Sequence, residues 1–540
     1  MSTLLSNSRE SRYQLIEKTK RRIPLFTTLG LLALLLIALI MRMYTLNAHF
    51  DRDSYDEGVY WQTLRALGSG HPLYSSTFYA QPPMFILSIF PTYMLAGQTI
   101  WAARLGVVLI SLLGLLGAFI LGYALHGRWG GFIALGLCIT SQAYLAASQT
   151  LQAEGPQVAF TLLAIAFAYL WWQHPGGWKG NLYAALCTLT LVISTACKLT
   201  GILAAAPIVL LVLAQLWRTF QWPLPRFLRV LQYPTTTAHD KSIDASEENK
   251  RVQVMQSLII GIAVLLVTTL FILLPYLGDF HAFWSQVVSF HSAATGSGSR
   301  AGNSSEVLGF LFSPLGVVAF IGLIVACYRR DWRVLPFLVW LIVSSLFLWR
   351  QVPLFAHHLV ILVPTLIGLS VFALDEQFLT NLLERPSQVH FDILLNAIQS
   401  TALFFMLCTL IFNIYSDINY YHQMNANAAS SATYSTQVIA QQLQQVTQPS
   451  QYVITDAQFL SALANRNTLP ALVDTSSVHI QTGYLTADQL IADAQQPQVQ
   501  AVLFYTGRLS QLPAFHTWVA QHYHLVHDYG KGKELWVKIY

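Results

Sequence analysis

Lys18-Thr-Lys-Arg-Arg22, then Leu25-Phe-Thr-Thr-Leu-Gly-Leu-Leu-Ala-Leu-Leu-Leu-Ile-Ala-Leu-Ile40, then Asp51-Arg-Asp-Ser-Tyr-Asp-Glu57: a basic patch, an uncharged apolar run and a cluster of carboxylates follow one another near the start of the chain. The apolar run is longer than the core of a signal peptide, and no small-residue cleavage site follows it. It therefore reads as a retained membrane-spanning helix. Positive charge ahead of a first span keeps that end in the cytoplasm. The carboxylates then emerge on the outer face.

The rest of the chain repeats this pattern. Hydrophobic residues make up 54% and charged residues only 10%, against about 25% charge in a soluble domain. With a mean hydropathy of +0.49, this excludes a soluble enzyme, a disordered chain and a collagen-like one. The net charge of +5 is not gathered into a stripe, so no nucleic-acid partner is expected. Windows of about 20 apolar residues give candidate spans at 25–44, 101–124, 130–148, 156–173, 181–198, 200–217, 255–276, 308–328, 334–349, 359–374 and 393–415. The short run 83–97, opened by Pro82-Pro83, reads as a juxtamembrane or re-entrant helix. As a full span it would invert every later loop and put Arg329, Arg330 and Arg333 outside, against the positive-inside rule.

The expected fold is thus an all-α polytopic membrane protein of about eleven transmembrane helices with a small C-terminal extracytoplasmic α/β domain. Residues 1–24 are a cytoplasmic N-terminus, 25–415 the transmembrane domain with 45–100 as first outer loop, and 416–540 the outer domain. The cytoplasmic loop 218–254 reads as a linker, and Gly296-Ser-Gly-Ser299 marks a mobile outer loop. In the last segment, strands are expected at Tyr452–Thr455, Leu469–Val473 and Ala501–Tyr505, and helices at Ala457–Ala464, Thr486–Gln495 and Pro513–His522. Cys138, Cys187, Cys197, Cys327 and Cys408 all lie in apolar stretches with no metal-site spacing, and read as apolar filler.

The chemistry-bearing residues collect at outer helix ends. Asp53, Asp56 and Glu57 share a helical face at i, i+3 and i+4. Such clustering costs energy unless a cation or substrate compensates it; the alternative is an acidic first turn favoured by the helix dipole. Glu154 precedes Pro156 at the outer end of a span, either as a functional carboxylate or as a helix cap. Lys198 either snorkels or awaits a phosphate. His291, and Arg350 with His357 and His358, complete the set. Adjacent histidines point to different sides, so His357 and His358 are not expected to share one metal. Acids beside cations suit a site where an anionic lipid headgroup meets a hydroxyl acceptor.

The ordered series Asp56-Glu-Gly-Val-Tyr60, Leu67-Gly-Ser-Gly-His-Pro-Leu73, Tyr79-Ala-Gln-Pro-Pro-Met84, Trp101-Ala-Ala-Arg104, Arg128-Trp-Gly-Gly, Glu154 and Ser194-Thr-Ala-Cys-Lys198-Leu-Thr resembles the GT-C superfamily of integral-membrane glycosyltransferases. Within that superfamily it is similar to the protein O-mannosyltransferase and lipid A aminoarabinose transferase group. The resemblance covers roughly 25–415. It implies inverting transfer of a sugar from a polyprenyl-phosphate donor, at the outer face of the plasma membrane, to a glycan, lipid or protein acceptor, with no nucleotide cofactor. By position, Asp56 is the implied base, and Glu57 and Glu154 support it or hold a metal. Lys198 binds the donor phosphate with Arg104 or Arg350, beside His357 and His358. A divalent metal ion is allowed for, with His291 and Asp53 as ligands. One departure stands out: Ala80-Gln81 replaces the acidic-basic pair of the aminoarabinose enzymes, which puts a metal at that loop in doubt. The rival reading is a transporter or flippase for a lipid-linked sugar or anion. Such proteins place ionisable groups near the midplane, whereas the middles of these spans are nearly free of charge.

Overall fold

The computed structural model describes residues 25–44, 46–48, 55–220, 243–294, 300–374, 378 and 393–539. The expected cytoplasmic N-terminus 1–24, Asp51, Asp53, most of the 218–254 linker and Gly296–Ser299 lie outside the described residues.

Among the described residues, eight helices are long and apolar enough to cross a membrane, or nine if Asn303–Leu311 and Pro314–Arg329, bent by 65°, form one span. Helix α1 (Leu25–Met43) leaves Leu25, Leu29, Leu32, Leu36 and Ile40 more than half exposed. Such a surface is stable only against lipid. Next come α2 (Tyr55–Gly68), α3 (Met84–Leu95) and α4 (Ile100–Ile139). The short α3 buries Phe85, Ile86, Ile89 and Tyr93.

Straight, the 40 residues of α4 would run about 60 Å, twice the hydrocarbon thickness. Instead the backbone leaves helical geometry at His126 and at Gly127 (φ 62°) and doubles back. A Cβ on Gly122 would lie 2.1 Å from the Gly130 carbonyl oxygen, and the Phe119 and Phe132 rings stand 5.4 Å apart. The positive φ at Gly127 is the conformation glycine adopts without steric cost. The two halves therefore match the separate passes expected at 101–124 and 130–148. The second is interrupted at Thr140 and Ser141, before α5 (Gln142–Gln149).

Helices α6 (Glu154–Gln173), α7 (Gly177–Cys197), α8 (Ala205–Phe220) and α9 (Ile243–Leu273) continue the bundle. After them come three short helices, α10 (Phe280–Trp284), α11 (Phe290–Ala294) and α12 (Asn303–Leu311), then α13 (Pro314–Arg329), α14 (Leu335–Arg350) and α15 (Val363–Val371). A 3₁₀ stretch, Ala356–Leu362, leads into α15. The core of the bundle joins α4, α6, α13 and α15 through Leu121, Leu162, Val318 and Ile367, all fully buried.

Helix α16 (Ile393–Ala428) spans the place where the sequence reading starts the outer segment. It runs unbroken through 415 and 416. It also carries Asp417, which is 2% exposed, into the membrane domain, within electrostatic reach of the fully buried Arg42 of α1.

The C-terminal unit comprises α17 (Ser431–Val446), β1 (Tyr452–Thr455), α18 (Gln458–Leu463), α19 (Ser477–Gln481), α20 (Ala487–Gln495), β2 (Val499–Phe504), α21 (Pro513–His522), β3 (Tyr523–Gly530) and β4 (Lys533–Lys538). The sheet order is β1-β2-β4-β3, with β1 and β2 parallel and the other pairs antiparallel. The expected strand Leu469–Val473 is a 3₁₀ turn at Pro470–Leu472; Pro470 has no N–H to give a ladder. The β3–β4 hairpin adds two strands that alternation with helices did not predict.

Candidate active site

Residues from the first loop, the ends of α6 and α7, the 3₁₀ stretch before α15 and the C-terminal unit converge at one end of the bundle. Helix α2 supplies two adjacent carboxylates. Glu57 accepts from Arg104 Nε (2.8 Å) and Nη2 (2.6 Å), and from the Leu151 N–H at 2.7 Å. Arg104 Nη1 donates to the carbonyls of Leu46 (2.8 Å) and Ala48 (2.7 Å). Both side chains are buried. This is a two-pronged structural ion pair. Glu57 and Arg104, named separately as a catalytic acid and a phosphate-binding cation, are here each other's partners, with the remaining Arg104 donors on backbone carbonyls.

Asp56 points elsewhere. It is half-buried, and the charged groups acting on it are His357, Glu154, Lys198 and Asp474. Burial pushes its carboxyl above the usual aspartate range, and Glu154 and Asp474 add to the rise against the opposing pull of His357 and Lys198.

Glu154 opens α6, where the helix dipole favours an anion. Lys198 leaves the end of α7 in extended geometry, and its ammonium sits on Glu154 Oε1. His357 Nε2 and His358 Nε2 lie 3.4 Å and 3.7 Å from the same oxygen. Adjacent residues thus do converge, against expectation, because the 3₁₀ turn that carries them faces Glu154 and the rings are long enough to meet edge to face, 4.4 Å apart. Thr200 and Gln351 line the small cavity beside Lys198 and His358. Thr200 Oγ1 and Gln351 Oε1 are buried there without hydrogen-bond partners.

The ligand atoms of Glu154, His357 and His358 lie within 4.8 Å of one another, near enough to hold one cation. One ring's hydrogen bond runs against it. The Phe355 N–H donates to His358 Nδ1 at 3.2 Å, so the neutral ring carries its proton on Nε2, the atom facing Glu154. A ligating Nε2 needs the reverse, with Nδ1–H donating outward. Lys198 also already occupies Glu154 Oε1. As the side chains stand, Glu154 gathers the nitrogens of Lys198, His357 and His358.

His291 does not join this group. Its Nε2 lies 2.6 Å from the Ala80 carbonyl oxygen, and burial lowers its proton affinity, with Lys198 acting in the same sense. Its Nε2–H donates to that carbonyl and braces the loop at Ala80-Gln81; Asp53, the other residue named for a metal, lies outside the described residues. Arg350 is exposed at the end of α14 and is not among the groups acting on Asp56.

The sequence reading missed Asp474 and Tyr55. Asp474 Oδ1 accepts from the Tyr55 hydroxyl at 3.0 Å and from the Ser476 N–H at 2.8 Å. A proline-containing apolar run followed by Asp-Thr-Ser is a turn signal that could have marked Asp474.

This arrangement sits on a fold shared with membrane glycosyltransferases. The apo crystal structure of ArnT, a lipid A aminoarabinose transferase, from Cupriavidus metallidurans aligns over 95% of this chain and 98% of that one, with a TM-score of 0.59 at 14% identity. The same protein bound to undecaprenyl phosphate aligns over the same shares, with a TM-score of 0.55 at 15% identity. The apo oligosaccharyltransferase of Archaeoglobus fulgidus aligns over 94% of this chain and 74% of that one, with a TM-score of 0.50 at 11% identity. The chain has the GT-C fold and is a multi-pass membrane protein. No family model matches it, and no curated protein matches it by sequence.

Proposed function

We propose that this protein is a glycosyltransferase that moves a sugar from a polyprenyl-phosphate donor to a hydroxyl acceptor at the outer face of the plasma membrane, with the N-terminus cytoplasmic and the C-terminal unit outside. The observation that carries this reading is the gathering of Lys198, His357 and His358 on Glu154 at the end of the bundle, with Asp56 within their electrostatic reach. The undecaprenyl phosphate held by the ArnT of similar fold supports the same class of donor.

In this reaction the acceptor oxygen attacks the anomeric carbon as its proton passes to Asp56. The bond from that carbon to the phosphate oxygen breaks, and the electron pair leaves on the phosphate. Attack opposite to the leaving group inverts the anomeric centre. Lys198 and His357 neutralise the charge growing on the phosphate. Glu154 keeps Lys198 and both histidine rings in place, and His358 Nε2–H is a further donor. Thr200 and Gln351 offer hydrogen bonds beside them.

The test uses the purified protein in nanodiscs with radiolabelled polyprenyl-phosphate mannose or glucose. Wild type should release label to an acceptor or to water. Asp56→Asn should lower that rate by at least about a hundredfold, the usual worth of a positioned base. Full transfer by Asp56→Asn would remove the base assignment. Saturable donor binding by both proteins with no turnover would favour the transporter reading.

A further inference from the structure

The C-terminal unit grips the helix that carries Asp56. Gln62 Nε2 donates to the Arg466 carbonyl at 2.9 Å, and Arg65 Nε to Asn467 Oδ1 at 2.8 Å. The Trp61 ring meets Phe459 edge-on at 5.5 Å. A Cβ on Gly58 would lie 2.2 Å from the Phe459 backbone nitrogen, so α2 and α18 touch backbone to backbone there. These contacts fix the length of α2. At its first turn the contact changes in kind: Tyr55, next to Asp56, donates its hydroxyl proton to Asp474 and accepts from the Thr475 N–H at 2.8 Å. Arg508 caps the Tyr55 ring, 3.8 Å from its centroid. Tyr55 and Asp474 are both buried, and a buried carboxylate is costly unless it is hydrogen-bonded. An interface needing adhesion alone would be served by the apolar contacts further along α2.

We propose that Asp474 is a positioning residue of the transfer reaction: through the Tyr55 hydroxyl it holds the first turn of α2 so that Asp56 faces Lys198 and His357. This rests on Asp56 being the base. The C-terminal unit is then a working part of the site. Asp474 also acts on Asp56 by its charge. The groups facing Asp56 are Lys198 at the end of α7, Glu154 of α6, His357 of the 3₁₀ stretch and Asp474 of the C-terminal unit, with Tyr60 on its own helix. The negative charge of Asp474 raises the proton affinity of Asp56.

The experiment compares wild type, Tyr55→Phe, Asp474→Ala, Asp474→Asn and Asp56→Asn as full-length proteins in nanodiscs. It reads kcat, donor KM and the pH dependence of kcat/KM. Tyr55→Phe and Asp474→Ala should lower kcat about ten- to a hundredfold, the scale of a misplaced reacting group, with donor KM little changed. Asp474→Asn keeps an oxygen to accept from Tyr55 and should recover part of kcat over Asp474→Ala. Its acid limb should move to lower pH, because a negative charge beside Asp56 is gone, whereas that of Tyr55→Phe should stay in place. Wild-type kcat and an unmoved acid limb in all three variants, with Asp56→Asn inactive, would overturn the role of Asp474 and leave the base standing. Full activity of Asp56→Asn would overturn both. If Asp474→Ala does not fold, Tyr55→Phe and Asp474→Asn decide by the same readings.

Discussion

Asp56 and Glu57 follow one another on a single helical turn, and the helix points them about 100° apart. One meets a guanidinium that satisfies it, and the other lies within the electrostatic reach of the lysine and a histidine that gather on Glu154. This difference has a consequence for stability. Folding raises the proton affinity of Asp56, chiefly by burial. The protonated carboxyl favours the fold below its unfolded-state pKa, and that contribution is lost as pH rises through the higher folded-state pKa. At neutral pH the ionised carboxylate is therefore a net cost to stability, the price of its placement. Asp56→Asn should unfold at the same temperature as wild type or higher at pH 7, with the gap closing as the pH is lowered toward the carboxyl's raised pKa. A midpoint several degrees below wild type at pH 7 would show that Asp56 holds the fold together and is no strained base. The carboxylates were legible in the sequence as a cluster on one side of a membrane. Their division of labour was not, because Arg104 lies 47 positions from Glu57 and only the packed fold pairs them. Asp474 was hidden for the same reason: its partner Tyr55 is 419 positions away.

Most spans could be read from hydrophobic run length alone, because lipid imposes that length. What run length cannot supply is the turn. In α4 an apolar stretch continues through His126 and Gly127 almost without a polar break, and the glycines at 122, 127, 130 and 131 let the halves fold together. The sequence placed the break correctly because Arg128 falls there. It placed none at Thr140 and Ser141, where no charge marks the spot. In the C-terminal unit, alternating apolar runs located β1 and β2, but Tyr523–Gly530 mixes histidines with apolar residues and is largely exposed on its outer face. Its partner β4 became recognisable only through the Gly530-Lys-Gly532 turn, whose three residues all have positive φ. The α4 hairpin can be tested directly. Cysteines replacing Phe119 and Phe132, in a chain with its native cysteines changed to serine, should be joined by a short bifunctional thiol reagent. In a straight helix those positions stand roughly 20 Å apart, beyond a reagent of 8–10 Å span (roughly two helical turns or less), and no intramolecular product would form.

Over the whole molecule the two ends of the bundle differ in charge. Arg333 Nη1 donates to the Leu125 carbonyl at 2.6 Å, and the Tyr169 hydroxyl to the Arg333 carbonyl at 2.7 Å. The α4 turn, the α13–α14 turn and the far end of α6 therefore meet at one end. Arg128, Arg329 and Arg330 cluster there, with Lys179 at the start of α7. Glu154 and Lys198 sit at the opposite ends of α6 and α7, and the C-terminal unit meets α2 beside them. In the orientation proposed above the arginine-rich end faces the cytoplasm, as the positive-inside rule favours, with the carboxylates and the C-terminal unit outside. A polyprenyl-phosphate donor at the outer face requires this orientation, so chemistry and topology stand or fall together. Ala514 is exposed near the start of α21 and Lys179 near the start of α7. In chains lacking native cysteines, Ala514→Cys should react with a membrane-impermeant maleimide on intact cells. Lys179→Cys should react only after permeabilisation. The reverse result would put Asp56, Lys198 and His357 in the cytoplasm and overturn the outer-face transfer reaction, while the GT-C fold and the pairing of Tyr55 with Asp474 would remain.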